Sequence, residues 1–179
     1  IQLRRPAVLS LVSEPFVPEL STAHRAEVET RWARLCAANP AYFDGRLCHV
    51  VGVHRNGAGG ATVHAADCAY RYFAVHDAEF DTGVRPLGVK GIVEREGRYL
   101  LGKRAADVAG YPGQWEFAPG GVVEPGDAPD ITLARELEEE TGFTSAATPI
   151  PVALLYDDEI RTWELVFRMT LGVAGEPHT

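Results

Sequence analysis

Residues 120–143 read GGVVEPGDAPDITLARELEEETGF, and the rest of the chain is organised around this stretch. Its second half places four glutamates within five residues, at positions 136, 138, 139 and 140. On a helix, Glu136, Glu139 and Glu140 stand at i, i+3 and i+4, so their carboxylates share one face. Like charges at this spacing repel, and the macrodipole disfavours them near a helix C-terminus. A helix that accepts both costs predicts a bound cation.

The residues around the glutamates also favour a cation. Gly120 and Gly121 leave backbone carbonyls open to close approach, because glycine has no side chain. Arg135, the one basic residue of the predicted helix, is suited to hold carboxylates of the preceding loop. An isolated run of glutamates would more simply be a solvated helix face, but that reading does not explain the glycines or Arg135. Clustered oxygen ligands suit Mg²⁺ or Mn²⁺, which also bind substrate phosphates.

The stretch resembles the motif of a known family. Gly121, Asp127 and the run RELEEETGF at residues 135–143 follow the spacing of the Nudix box, G-x5-E-x7-R-E-U-x-E-E-x-G-U, in which U is a bulky apolar residue. Every specified position from Gly121 to Phe143 matches except Asp127, where the family usually has Glu. The resemblance extends over about residues 86–171.

This resemblance implies an α/β fold, a Nudix-type α/β/α sandwich with a mixed sheet. It implies a pyrophosphohydrolase that uses Mg²⁺, or Mn²⁺, and water to split a diphosphate linkage in a nucleoside diphosphate derivative. Position by position, the implied metal ligands are Glu136, Glu139, Glu140 and the carbonyl of Gly120. The implied catalytic residues are Glu136 and Glu139, together with Arg135, which would hold the box loop through a carboxylate.

Many members of the family place an additional base after the box. Four acidic residues downstream are candidates for it: Asp157, Asp158, Glu159 and Glu164. The sequence does not choose among them.

Outside the box, the pattern of apolar residues predicts further elements. In the first half we expect a strand at residues 7–12, a helix from about Ser21 to Ala38, and an antiparallel meander of three strands at about 46–53, 61–66 and 69–75. In the second half we expect a hairpin at residues 88–104 and strands at 114–118, 152–156 and 162–171.

The pattern restarts near residue 84, where we place a domain boundary. Residues 1–84 would form an α+β region for substrate recognition or dimerisation, and residues 85–179 the Nudix hydrolase domain. Three segments of the first region, Trp32–Leu35, Asn39-Pro40 and Phe43–Gly45, resemble the leading region of UDP-sugar pyrophosphatases. That resemblance implies a nucleotide sugar such as UDP-glucose as the substrate, split to UMP and a sugar 1-phosphate.

Composition limits the classes of partner that this protein is expected to bind. The net charge is −8, from 17 basic and 25 acidic residues, and no Lys/Arg-rich run occurs, which argues against nucleic acid and anionic membranes as partners. No apolar run approaches the ~20 residues of a membrane helix, and no signal peptide is visible. The three cysteines lack metal-ligand spacing and predict free thiols in a reducing cytosol. We therefore expect a cytoplasmic protein that binds a small-molecule nucleoside diphosphate derivative, with a homodimer as an option.

Two alternative functions stay open. The fold could serve as a non-catalytic regulatory domain that binds a nucleotide ligand, although such a sensor has no need of three metal carboxylates. A Nudix hydrolase could also act on ADP-ribose, dinucleotides or oxidised nucleotides, because the residues that recognise base and sugar lie outside the box.

Overall fold

The computed structural model describes residues 1–106, 108 and 110–174. Within these residues the helices are α1 (Thr22–Ala38), α2 (Arg71–Ala74) and α3 (Pro129–Thr141). The strands of the first half are β1 (Val8–Leu11), β2 (Arg46–Arg55), β3 (Ala61–Ala69) and β4 (Leu87–Arg95). The remaining strands are β5 (Arg98–Tyr99), β6 (Leu101–Lys103), β7 (Trp115–Phe117), β8 (Gly120–Val122), β9 (Phe143–Ser145), β10 (Ile150–Asp157), β11 (Thr162–Met169) and β12 (Leu171–Ala174).

The first half forms a three-stranded sheet in the order β1-β3-β2. Strands β2 and β3 are antiparallel, whereas β1 runs parallel to β3 with Val8 opposite Thr62. The prediction of a third strand in the meander is wrong, because residues 71–74 form α2. The backbone N–H groups of Phe73 and Ala74 bond back to the carbonyl of Tyr70. Tertiary packing overrides the strand propensity of this short aromatic run, and β1 pairs with the edge of β3 instead.

The second half is built on a mixed five-stranded sheet. Its path is β10-β11-β4-β5, with β8 also paired to β4. Strand β11 is parallel to β4, with Glu164 opposite Gly88, and β8 is antiparallel to β4, with Lys90 opposite Gly120. The expected hairpin at residues 88–104 pairs only over β5, because β6 pairs with β7. The α/β class with a mixed sheet, predicted from the sequence, is confirmed.

Helix α3 carries the acidic stretch and begins and ends as its sequence predicts. Pro129 lies in the first turn, where its missing N–H leaves no unmade bond, and Gly142 ends the helix in the left-handed conformation at φ 72°. Leu133 and Leu137 are fully buried on its inner face, which packs against β4, β8 and β9. Glu136 and Glu140 flank this inner face, and Glu138 lies on the exposed side of the helix.

One buried cluster contains apolar residues of both sheets and of α3. It includes Val50 and Val63 from the first sheet, Val89 and Leu165 from the central sheet, and Leu137 from the helix. The division near residue 84 stays a prediction. None of the helices in the described part of the chain has the length and apolar character needed to cross a membrane. The cytoplasmic location also stays a prediction.

Candidate active site

Helix α3 holds two glutamates against the backbone of β8. A Cβ added to Gly121 would lie only 2.5 Å from Cδ and Oε1 of Glu136, so this side chain occupies the space that glycine leaves open. The backbone N–H of Gly120 donates a hydrogen bond to the carboxylate of Glu140. The double glycine and two of the predicted ligands are therefore brought together at one edge of the sheet.

Nearby cations compensate the charge of these two carboxylates only in part. Burial raises the pKa of Glu136, and the nearby charges of Glu139 and Glu140 raise it further. Glu140 is an exposed residue, but partial shielding of its carboxyl group raises its pKa, and the Gly120 hydrogen bond and the charge of Lys90 offset this only in part. A divalent cation would reverse both shifts, because an opposite charge favours the ionised form of a carboxyl.

The donor set fits a hard cation, since it consists of carboxylates beside a glycine backbone. Glu139 is exposed at the solvent side of the pair, on the same helical face. As placed, no three acidic, histidine or cysteine side chains of the described residues converge into a complete metal site. The assignment of Glu136, Glu139, Glu140 and Gly120 as ligands therefore stays a prediction, and a bound metal would draw the side chains closer.

Arg135 contacts both the box loop and the glutamates. Its Nη1 atom donates to Oδ2 of Asp127 at 3.2 Å, so the shorter carboxylate at position 127 reaches the guanidinium. Its other nitrogens lie 3.9 Å from carboxylate oxygens of Glu136 and Glu139. Arg135 thus lies between the loop and the acidic face, where it can fix the position of one relative to the other.

A second group of charges lies on the opposite face of β8 and β4. Lys90 donates through Nζ to Glu116 at 2.7 Å, and Arg104 donates through Nη1 to the other oxygen of Glu116 at 2.9 Å. Burial opposes ionisation of Glu116, but these two cations outweigh it and lower its pKa. The Lys90 ammonium lies 2.7 Å from the position that a Cβ on Gly120 would take. One fixed cation is therefore held against the double glycine.

Sequence reasoning missed this group. Lys90 is the one charged residue in the apolar run LGVKGIV at 87–93, and a lone lysine inside a buried strand is a usable signal of function. Glu116 and Arg104 gave no comparable signal, because their pairing with Lys90 depends on the fold.

Among the four candidate bases, the structure favours Glu164. Asp157 accepts hydrogen bonds from the Tyr111 hydroxyl and from backbone N–H groups of its own turn. Asp158 and Glu159 are exposed on that turn. Glu164 instead lies over Gly88, where an added Cβ would come within 2.7 Å of its Oε1 atom. Its Oε2 atom is buried and has no hydrogen-bond partner among the described residues.

Burial raises the pKa of Glu164 from 4.5 to about 7. The folded protein therefore binds this proton more tightly than the unfolded chain does, and ionisation of Glu164 costs stability. The favourable contribution is complete below pH 4.5 and is lost as the pH rises through about 7.

We therefore expect Glu164→Gln, which cannot ionise, to be more stable than the wild type at pH 8, by on the order of 2–3 kcal/mol. The difference should shrink toward zero at pH 4.5. Urea unfolding at the two pH values measures it, with Glu159→Gln on the exposed turn as the control. An equal difference at both pH values would contradict the assignment.

Lys90, Glu116 and Glu164 line one cavity of about 550 Å³, whereas Glu136, Glu139 and Glu140 are not among its lining residues. Its wall contains Lys90, Glu116, Gly120, Gly121 and Glu164 from the second half of the chain, and Tyr42, Tyr70, Phe73 and His76 from the first half. A smaller cavity of about 370 Å³ is lined by Phe43 and Glu124 and shares Tyr42, Tyr70 and Val122 with the larger one. The larger cavity has the size of a small-molecule site.

Comparison with known proteins places the chain in a family. The model of the NUDIX domain matches residues 84–175, just over half of the chain. Nucleoside triphosphatase NudI of Escherichia coli (strain K12 / DH10B) is 41% identical over 71 residues, which are 40% of this chain and 49% of NudI. The chain therefore spans about half the length of the curated relatives it matches.

Two solved structures are similar to part of the chain. The MutT protein from Methanosarcina mazei Go1 is 26% identical, with a TM-score of 0.41, over 49% of this chain and 63% of that one. A NUDIX hydrolase from Nitrosomonas europaea is 29% identical, with a TM-score of 0.40, over 51% of this chain and 53% of that one. The match of the family model over residues 84–175 confirms the resemblance found in the sequence, and the chain belongs to the Nudix hydrolase family.

Proposed function

We propose that this protein is a Mg²⁺-dependent pyrophosphohydrolase that splits the diphosphate linkage of a nucleotide sugar such as UDP-glucose. The observation that carries the proposal is the pair of carboxylates with raised pKa, Glu136 and Glu140, held against the double glycine. An acidic pair whose charge is only partly compensated, packed on glycines that line a cavity with a fixed lysine, suits a metal-bound diphosphate. A solvated helix face would need neither the glycines nor the lysine.

The metal would be held by Glu136, Glu139, Glu140 and the carbonyl of Gly120. When bound, it would neutralise the charge of the diphosphate and lower the pKa of a coordinated water. Arg135 would hold the acidic face of α3 in a fixed position relative to the box loop through its contact with Asp127.

On the other face, the Lys90 ammonium can donate to a phosphate oxygen that reaches Gly120. Glu116 and Arg104 orient Lys90, so that little conformational entropy remains to be lost when the substrate binds. Glu164 is the group best placed to take up a proton in the cavity, because its pKa of about 7 lets it exchange one near neutral pH.

Two features support a nucleotide sugar. The first region carries the resemblance to UDP-sugar pyrophosphatases, and its aromatic residues line the cavity of the candidate active site. We therefore propose residues 1–84 as the part that recognises the substrate and residues 85–179 as the hydrolase part. A nucleoside triphosphate is the second candidate, because the relative NudI is named a nucleoside triphosphatase.

A substrate panel tests the proposal. UDP-glucose, ADP-ribose, NADH, 8-oxo-dGTP and the common nucleoside triphosphates are each incubated with the full chain and Mg²⁺, and the products are identified by ion-exchange chromatography. We expect UDP-glucose to give UMP and glucose 1-phosphate, with activity lost in EDTA and restored by Mg²⁺ or Mn²⁺. Hydrolysis in ¹⁸O-labelled water then shows which phosphorus is attacked.

Other results of the substrate panel would favour one of the alternative functions. A higher kcat/KM for nucleoside triphosphates would make the protein a triphosphatase. Tight ligand binding without turnover of any compound would make it a regulatory domain. Light scattering on the full chain decides whether a homodimer forms, since the monomer mass is 19.4 kDa.

A further inference from the structure

The first half of the chain contributes a set of aromatic rings to the active-site cavity. We name Tyr42, Tyr70, Phe73 and His76 the aromatic wall; all four line the 550 Å³ cavity. Each of the four is partly buried, so part of each side chain stays accessible. These residues belong neither to the proposed metal ligands nor to the charged group of Lys90, Glu116 and Arg104.

Contacts with other rings hold the aromatic wall in place. Trp32 of α1 makes edge contacts with Tyr42 at 6.1 Å and with Tyr70 at 6.3 Å between ring centroids. Phe73 packs beside Tyr70, and the His76 ring lies 4.6 Å from the Phe73 ring, tilted by 30°. Nδ1 of His76 also donates to the carbonyl of Phe73, which fixes the orientation of the imidazole. The rings are therefore ordered before a ligand binds, and the entropy cost of binding is lowered.

The residues that line the cavity differ in charge. Lys90, beside the double glycine, suits phosphate. Asp77, another lining residue, bonds to Arg31, and Arg161 lies 3.1 Å from Asp81, whereas Glu159 is exposed on its turn. The aromatic wall itself offers flat ring surfaces. Such surfaces suit the flat, uncharged part of a nucleotide, because each base presents a π-face to stack on an aromatic ring.

We propose that the aromatic wall is the nucleobase subsite of this protein, with Phe73 and His76 as stacking residues. The inference rests on the proposed function for the direction of the ligand, with its phosphates at Lys90 and its base at the wall. It goes further in assigning the base to a surface that the Nudix box does not contain. The first half of the chain would then determine which nucleotides bind, and the second half would act on the phosphates.

Calorimetric titration of the full chain with Mg²⁺ tests the subsite without turnover. The probes are UMP, AMP and ribose 5-phosphate, which lacks a base. We expect the mononucleotides to bind the wild type more tightly than ribose 5-phosphate. Phe73→Leu, which keeps most of the volume but removes the ring, should raise the Kd for the tighter-binding mononucleotide about tenfold. Its Kd for ribose 5-phosphate should be unchanged.

Two further variants make the test specific. His76→Ala should weaken mononucleotide binding in the same way, and it replaces Phe73→Leu as the test variant if Phe73→Leu does not fold. Tyr99→Leu is the control, since Tyr99 is 57% exposed and lines neither cavity. It should leave every Kd unchanged. Thermal unfolding of each variant confirms that it is folded.

The proposal is overturned if ribose 5-phosphate binds as tightly as the mononucleotides, if no probe binds, or if folded wall variants bind UMP and AMP like the wild type. Equal weakening for all three probes would also overturn it, because a general distortion of the site does not depend on the base. Failure of the proposed function has a different signature. In that case the substrate panel is not hydrolysed, while base-dependent binding and its loss in Phe73→Leu persist.

Discussion

Glu136→Gln is expected to lower kcat by a factor on the order of 10² to 10³, because it removes a charged ligand from the proposed metal site. Glu136 is only partly exposed and lies across Gly121, in the space that the glycine leaves open. The substitution keeps the shape of the side chain and removes its charge. The fold should not suffer, since burial and like charges already raise the pKa of this carboxyl.

Glu138→Gln provides the matched control for this prediction. It makes the same chemical change on the same helix, but Glu138 is exposed and lies off the face shared by Glu136, Glu139 and Glu140. Its kcat should equal that of the wild type. Both variants are compared by turnover at saturating Mg²⁺ and by Mn²⁺ binding in electron paramagnetic resonance. A loss of activity in Glu138→Gln as large as in Glu136→Gln would refute a site-specific role.

Gly121→Ala should reduce kcat by about a hundredfold or more, through displacement of the Glu136 carboxylate. The added Cβ would lie 2.5 Å from Cδ and Oε1 of Glu136, too close for both groups to stay in place. Because Gly121 does not have a positive φ, alanine brings no backbone strain there. The flexible end of Glu136 can move away, so the fold survives while the ligand is misplaced.

The control for this substitution is Gly52→Ala, on strand β2, where an added Cβ meets nothing within 4 Å. We expect wild-type kcat and wild-type Mn²⁺ affinity in Gly52→Ala, and loss of both in Gly121→Ala, with similar circular dichroism spectra. Full activity in Gly121→Ala would mean that Glu136 does not need the position observed here.

The features predicted correctly from the sequence are those that the chain encodes locally. Pro129 and Gly142 set the ends of α3, and the spacing of its leucines sets the buried face, so the shared face of Glu136, Glu139 and Glu140 follows from sequence alone. The misassigned segment at residues 71–74 is a single helical turn, too short to show a helical period. Parallel pairing of β1 with β3 was also missed, because it joins segments about fifty residues apart.

The parts of the site that escaped prediction depend on strand register. Glu164 reaches the cavity because β11 pairs with β4 so that Glu164 lies opposite Gly88. A shift of one residue would turn its side chain to the other face of the sheet. Lys90 and Glu116, 26 residues apart in the chain, meet because β7 packs beside β4, although the two strands are not paired. A single sequence shows that acidic residues follow the box, but it does not show which of them the sheet turns inward.

The two glycines of β8 also have a consequence for the geometry of the whole site. Neighbouring residues of a strand point to opposite faces, and here Gly120 faces Lys90 while Gly121 faces Glu136. With no side chain on either face, the strand is only one backbone thick at this point. Glu136 and the Lys90 ammonium can therefore lie close to the backbone of β8 on its two faces. A side chain at either position would collide with one of them.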